Sequence, residues 1–408
     1  MKTDFLIIGA GVIGLGVAKA LQERYPDKSI AIIEKEKDVA MHASGRNSGV
    51  LHAGFYYSAD SLKARFTREG NARLKVFCNE HGLKTNPCGK VVVARNDMEV
   101  ETIYELEKRG EANGVDVRVI DEKELESIDP NVKTHRFALY SPTTATVDPK
   151  EVTRKLKETV TGNGANLYLD TKYLYRVGHK SIKTSRGFFE AETIINCAGL
   201  YADKIAKQFD FGKNYTIVPF KGIYLKYSGG DRPIATNVYP VPNLKNPFLG
   251  VHYTVTVDGS VKIGPTAIPA FWRENYNGFE NFDIDELMEI VWYEAKLFVT
   301  NRFGFRSLAL EEFKKYSKSH LVSLALDMVK MIDEKKFDQW SAPGIRAQLL
   351  DTSTLELVQD FIVEGDETSV HILNAVSPAF TCSLSFTEWV VDKFILKGAL
   401  NTKKLSYT

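Results

Sequence analysis

The chain opens on an uninterrupted apolar run, Phe5-Leu6-Ile7-Ile8, followed at once by Gly9-Ala10-Gly11-Val12-Ile13-Gly14. Such a run predicts a parallel strand covered on both faces, where alternation is not needed. The apolar positions then take up helical spacing through Ile13, Val17 and Leu21, and Tyr25-Pro26 stops that helix. A second apolar strand, Ile30 to Ile33, ends in Glu34. Thr193-Ile194-Ile195-Asn196-Cys197-Ala198-Gly199 predicts another strand, ending in a small-residue turn. Val370 to Leu373 predicts a further one, with Ser377-Pro378-Ala379-Phe380-Thr381 opening the final helix. The stretches between differ in character. Lys90 to Ala94 is a predicted strand, Met98 to Asn113 a charged helix, and 218–339 holds several strands and two long helices. Six of the fourteen prolines fall between 233 and 269, marking shaped loops and edge strands rather than a parallel core.

The opening strand, glycine turn and helix carry a specific chemistry. Gly9 permits a tight turn, Gly11 lets the backbone approach a pyrophosphate, and Gly14 brings helix and strand close. The N–H groups at Val12, Ile13 and Gly14, with the positive end of the helix dipole, face the phosphates. Glu34, 20 residues after Gly14, is placed to take ribose hydroxyls, with Lys35 beside it. These parts predict dinucleotide binding and leave FAD and NAD undivided. The run from Ala43 to Gly54 divides them. Its small and polar residues, among them Ser44, Gly45, Asn47, Ser48, Gly49, Val50 and His52, can lie flat along an extended cofactor. A plain NAD dehydrogenase has no need of such a run, so FAD is the expected cofactor. Ala198, Gly199 and Gly344 join the candidate set, as do Ser377, Pro378, Ala379, Phe380 and Thr381 at a helix N-terminus suited to the flavin's pyrimidine edge.

Length and charge bound the rest. A chain of 408 residues exceeds a comfortable single core and points to two domains. The cofactor signals fall in three blocks, so the expected fold is α/β: a discontinuous Rossmann-like FAD-binding domain (1–87, 145–217 and 340–408) with an α+β substrate domain of mixed or antiparallel sheet (88–144 and 218–339), the catalytic cleft lying between them. Lys and Arg total 53 against 52 Asp and Glu, which gives no support to a nucleic-acid partner. Four cysteines with no CxxC pair suit a reducing compartment, and eight histidines without HxxH or HxxxH spacing predict no metal site. Phe5 to Ala18 is uncharged but shorter than the roughly 20 residues a membrane span needs. A cytoplasmic protein is expected.

In these motifs the chain resembles the D-amino-acid-oxidase-type FAD oxidoreductases. The residues that carry the resemblance are Gly9–Gly14, Asn47–Gly54, Asn196-Cys197-Ala198-Gly199 and Gly344-Ile345-Arg346-Ala347-Gln348. Within that group it is most similar to the L-2-hydroxyglutarate oxidases and dehydrogenases. Here the carrying residues are Ser48–Tyr57, Ser61–Arg65, Cys88-Gly89-Lys90, Tyr239-Pro240-Val241-Pro242, Phe248–His252, Gly264-Pro265, Leu373-Asn374-Ala375 and Ser377-Pro378-Ala379. Two positions depart from the pattern: Val376 stands where the family tends to have Pro, and Phe380 where a small residue is usual. Anaerobic glycerol-3-phosphate dehydrogenase-like proteins share the NSGxxHAG element, which therefore does not define the substrate.

The resemblance implies oxidation of a 2-hydroxy acid, with L-2-hydroxyglutarate giving 2-oxoglutarate by hydride transfer to flavin N5. Glycerol-3-phosphate or amine oxidation on the same fold is the enzymatic alternative, and a flavin-bearing binding protein the non-enzymatic one. His52 is the candidate base, since a neutral imidazole suits proton abstraction near pH 7. Its alternatives are a histidine packed on the flavin or a point of flavin attachment, with a non-covalent cofactor favoured. Arg346 stands where resembling amine oxidases bind a substrate carboxylate, a task suited to a bidentate guanidinium. His252 and Tyr239 are candidates for the second carboxylate or the hydroxyl, against simple core packing. Lys221 is a weaker candidate, with a solvated strand-end lysine the simpler account. The apolar helix within Phe303–Lys336 is a candidate for peripheral membrane contact with a quinone acceptor, against a core or dimer helix and oxygen as acceptor.

Overall fold

The first apolar run forms the strand Lys2–Ile8, which pairs in parallel with Ile30–Ile33 on one side and with Gly187–Asn196 on the other. This computed structural model describes residues 1–242 and 250–396, so Phe248 and Leu249 of the family pattern lie outside the described residues. Ser369–Asn374 extends the parallel sheet beside Ile194–Asn196, and Asn166–Tyr168 extends it beside Ile30–Ile33. Leu6, Ile7, Ile32, Ile194 and Ile195 are fully buried, which is why these strands read without alternation. Helix Val12–Arg24 follows the glycine turn, and helix Ala379–Val390 packs against it. A Cβ on Gly16 would lie 2.8 Å from Thr387 Oγ1, so that contact needs a glycine.

The chain divides into two compact units. One comprises Met1–Asn47, Pro149–Pro219 and Arg346–Thr408, and the other Ser48–Asp148 and Phe220–Ile345. The bounds differ from the sequence reading, which put residues up to 87 with the cofactor domain. Side-chain bonds that tie 48–87 to Asn113 and Thr143 are the reason, and the strand Ala145–Val147 goes with them. Val50–Leu51 and Thr85–Asn86 both pair with Ala145–Val147. The Asn71 amide donates to the carbonyls of Leu51, His52 and Thr143, and the Asn113 amide to those of Gly54 and Tyr57.

The second unit is built on an eight-stranded mixed sheet. Its order is Phe337–Trp340, Leu225–Tyr227, Val261–Gly264, His252–Val255, Asn237–Pro240, Lys90–Val93, Phe137–Ser141 and Arg118–Asp121. Only the Asn237–Pro240 and Lys90–Val93 pair is parallel. One face carries Val91, Val93, Val238, Tyr253, Val255, Val261 and Ile263, packed with Leu321, Val322, Ala325, Met328 and Val329. The helix predicted at Met98–Asn113 runs Asp97–Ala112, capped by the Asn96 side chain on Glu99 N.

In the segment Phe303–Lys336 the core reading, rather than the membrane-facing one, describes the apolar residues from Leu321 to Val329. The segment is broken into helices Phe305–Lys314 and Lys318–Leu326 between short 3-10 turns, and Leu321, Val322, Ala325, Met328 and Val329 join the sheet's core. The exposed apolar face belongs instead to helix Ile284–Thr300. No helix among the described residues is long and apolar enough to cross a membrane.

Candidate functional site

In the first unit the glycine turn has the geometry that a diphosphate requires. Gly9 adopts φ +101°, and a Cβ there would meet Cys197 O at 2.6 Å; a Cβ on Gly14 would lie 1.9 Å from Gly9 O. At Gly9 a side chain is therefore excluded by contact as well as by conformation, and at Gly14 by contact. The helix that follows begins at Val12 with no acidic residue in its first turn and with Val12 and Gly14 buried. Ser44 Oγ accepts from Val12 N at 2.9 Å, and Asn47 Nδ2 donates to Ala43 O and Ser44 O at 3.0 Å each, holding the small-residue run beside the turn. These residues fit an FAD pyrophosphate.

Glu34 is engaged more locally than expected. Its Oε2 accepts from Ala10 N at 2.8 Å and its Oε1 from Glu36 N at 3.0 Å, tying the turn to the second strand. Each oxygen retains a further lone pair for a ribose hydroxyl. Lys35 pairs with Glu36 and lies over the Tyr201 ring. Ala198 N donates to Asn196 Oδ1 at 3.2 Å, and Gly199 opens a short 3-10 turn at φ +54°. Pro378 precedes the first residue of the final helix, whose first turn also lacks an acidic residue, with Ala379 and Thr381 buried and Phe380 half-buried beside an exposed Ser377. Arg346 is half-buried on the strand Gly344–Asp351.

In the second unit the sheet's other face carries a buried row of polar groups. The pairings Lys90↔Asn237, His252↔Gly264 and Thr254↔Lys262 bring their side chains to one face. Val238 pairs with Tyr253, which sets Tyr239 opposite His252; their rings stack with centroids 3.7 Å apart and planes at 17°. The segment after Val50–Leu51 meets this face. Lys90 Nζ is 3.2 Å from His52 Nδ1 and 4.1 Å from the Tyr239 ring centroid, with the Tyr56 and Phe55 rings at 5.3 and 5.7 Å. His52, Lys90, Tyr239 and His252 thus form one connected cluster.

Burial governs the electrostatics of this cluster. Lys90 is fully buried, no carboxylate among the described residues pairs with it, and loss of solvation pulls its ammonium down to about 7. Burial pulls His252 down to about 3 against its bond to Gly250 O, and the nearby charges of Lys90, Lys262 and Lys315 add to the effect. That bond, 2.9 Å from Nδ1, makes Nδ1 the protonated nitrogen of a neutral ring. Burial and then Lys226 hold Lys262 down to about 8. Burial raises the Tyr56 and Tyr239 phenols well above their ordinary value.

Lys90 is the residue that sequence reasoning missed. A lysine opening an otherwise apolar strand, Lys90-Val91-Val92-Val93, is the signal that was available. Lys221 needs a correction in the same direction. It is not solvated: it is 7% exposed, its Nζ donates to Asn275 Oδ1 at 3.3 Å, and burial lowers its pKa.

A glycine-rich strand, turn and helix in a parallel sheet, with a second unit of mixed sheet, defines the fold of FAD-dependent oxidoreductases. The chain belongs to the FAD dependent oxidoreductase (DAO) family, whose model matches residues 4–334, and FAD is its cofactor. It is 34% identical over 395 residues to the L-2-hydroxyglutarate dehydrogenase of Escherichia coli strain K12, covering 96% of this chain and 92% of that protein. It is 35% identical over 412 residues to the L-2-hydroxyglutarate dehydrogenase of Indibacter alkaliphilus, covering 97% of this chain and 100% of that protein. Among solved structures it is similar in fold to the FAD-bound L-alpha-glycerophosphate oxidase of Mycoplasma pneumoniae. There the TM-score is 0.74 at 21% identity, over 96% of this chain and 94% of that one. The glycine oxidase of Geobacillus kaustophilus gives a TM-score of 0.72 at 18% identity, over 99% and 96%.

Proposed function

We propose that this enzyme oxidises L-2-hydroxyglutarate to 2-oxoglutarate. The reading is supported by the near full-length identity to dehydrogenases of that name in bacteria and animals. The single structural observation that carries the chemistry is the contact of His52 with a buried, carboxylate-free Lys90. FAD, when bound, supplies the acceptor for the hydride leaving C2. His52 takes the hydroxyl proton as general base. Arg346 holds the C1 carboxylate bidentately, and the hydrogen-bonding groups of Tyr239 and His252 receive the hydroxyl and the distal carboxylate. Lys221 is reserved as a further carboxylate partner. The first unit carries the cofactor-site candidates Gly9 to Asn47, Ala198, Gly199 and Ser377 to Thr381, and the second carries the candidates Ser48, Gly49, Val50 and Gly344.

Anaerobic mixing of the oxidised holoenzyme with substrate tests the reading. L-2-hydroxyglutarate should bleach the oxidised-flavin absorbance within the turnover time. Its D-enantiomer, glycerol-3-phosphate and amino acids should not. Bleaching by one of these in place of L-2-hydroxyglutarate sinks the assignment.

A second observation bears on the electron acceptor. Along helix Ile284–Thr300, Ile284, Met288, Val291, Trp292 and Val299 are all exposed, and nearby Phe279 is 84% exposed. Lys296 lies over the Trp292 ring at 4.6 Å. An apolar stripe with an aromatic and a flanking cation suits the interfacial region of a bilayer. We propose peripheral contact with the inner face of the cytoplasmic membrane, with a membrane quinone favoured over oxygen as acceptor. The free cysteines suit that reducing side.

A further inference from the structure

We propose that Lys90 acts through His52 as the terminal proton acceptor of the oxidation, so that the two residues work as a base dyad and Lys90 sets the tautomer of His52. The inference rests on the reading of His52 as the base. Geometry supplies the first argument. Nζ lies 3.2 Å from Nδ1, within reach of one hydrogen bond. A neutral amine at that distance accepts from Nδ1–H and leaves the Nε2 lone pair to take a proton. A permanent ammonium would donate to Nδ1 instead, place the ring hydrogen on Nε2, and silence it as a base.

The surroundings favour the first state. Lys90 has no carboxylate partner among the described residues, and its burial penalises the charged form. The titratable groups around it are His52 and Tyr56 from the segment after Val50–Leu51, Tyr239 from the adjacent strand, His252 stacked on Tyr239 and itself held neutral, and Cys88 before its own strand. Burial holds the two phenols and the thiol in their neutral forms. Three aromatic rings line the amine, the Tyr239 centroid at 4.1 Å, and their faces stabilise the ammonium when it forms. In the step, the substrate O–H bond breaks and its proton goes to His52 Nε2. The Nδ1 proton passes to Lys90 Nζ, and the oxygen's electron pair closes the C2=O bond. The C2–H pair leaves as hydride to oxidised FAD, so charge and electrons balance.

Lys90→Met, of similar volume and uncharged, Lys90→Arg, a permanent cation, and His52→Asn are compared as FAD-loaded enzymes. Single-turnover flavin reduction is followed against pH and L-2-hydroxyglutarate concentration. Ring 15N NMR reports the His52 tautomer, its signal identified by its loss in His52→Asn. The dyad predicts that Lys90→Met keeps its FAD content and half-saturating substrate concentration. Its limiting reduction rate should fall by about 100-fold or more, its pH profile should lose the inflection near neutrality, and its His52 should shift away from the Nδ1–H tautomer. Lys90→Arg should be equally slow. A wild-type rate in either Lys90 variant overturns the dyad, as does a raised half-saturation at unchanged limiting rate, which would mark Lys90 as a substrate-binding cation. Retained reduction in His52→Asn overturns the base reading itself and is distinguished from failure of the dyad by that variant alone.

Discussion

The imidazole of His252 lies flat against the phenol ring of Tyr239, with centroids 3.7 Å apart, because the Val238 and Tyr253 pairing sets the two residues directly opposite. Tyr239 is 1% exposed and also faces the Lys90 amine. Tyr239→Phe keeps the ring and should change stability by less than about 1 kcal/mol, whereas Tyr239→Ala should cost about 3–5 kcal/mol. If the hydroxyl meets substrate, Tyr239→Phe also raises KM several-fold at constant FAD content. Urea unfolding and steady-state kinetics on the same preparations check both parts.

Two buried histidines make the fold acid-labile. His252 and His371 are each pulled down to about 3, chiefly by burial, from an ordinary value of 6.5. Between those limits the unfolded chain binds a proton at each site that the folded chain does not. Stability therefore falls as pH drops from 6.5 towards 3, by up to about 1.4 kcal/mol per pH unit for each histidine. His371, held between Asn196 and Ser369, is the one to replace. His371→Gln should reduce the slope of unfolding free energy against pH by about one proton.

Lys90 costs stability in the service of chemistry. Its folded value of about 7 lies below the ordinary 10.5, so the unfolded chain carries the extra proton between those limits and the wild type gains stability as pH rises through them. Lys90→Met removes the penalty. It should unfold about 1–4 kcal/mol later than wild type at pH 6–7, with the advantage shrinking towards pH 10. Equal stabilities at all pH values would show that Lys90 is not buried as a charge.

The glycine turn tolerates no Cβ at Gly14, where the nearest backbone oxygen would be 1.9 Å away. Gly14→Ala should purify with little or no flavin, read as the ratio of flavin to protein absorbance. At Gly162, in the last turn of helix Pro149–Gly162, a Cβ meets nothing within 4 Å. Gly162→Ala should bind FAD normally and be stabilised by about 0.5 kcal/mol.

The apolar stripe on helix Ile284–Thr300 predicts a separation of activities. Met288→Glu with Trp292→Glu should abolish co-sedimentation with anionic vesicles and leave turnover with a soluble dye acceptor unchanged. Vesicle binding that survives both changes would locate membrane contact elsewhere.

The strand, glycine turn and helix at the N-terminus were legible because their causes are local: an apolar run, a positive φ and a helical period. The exposed stripe was not. Helix Ile284–Thr300 has apolar residues on both faces and buries Glu286 and Glu294, the latter pushed up to about 8, so periodicity alone does not say which side faces solvent. The assignment of 48–87 also escaped local reading, since bonds of the Asn71 amide to Thr143 and of the Asn113 amide to Gly54 and Tyr57 decide it.

From the sequence alone came the dinucleotide turn, whose spacing is short and whose physics is that of a few consecutive residues, while the FAD family came from a resemblance spread along the chain. Only the tertiary structure decided that Lys90 and Lys221 are buried, that His252 is neutral, and that Lys90 meets His52. A lysine's side chain is polar wherever it stands in a sequence. Whether it is solvated, or held among rings with its charge disfavoured, depends on sheet register between segments more than a hundred residues apart.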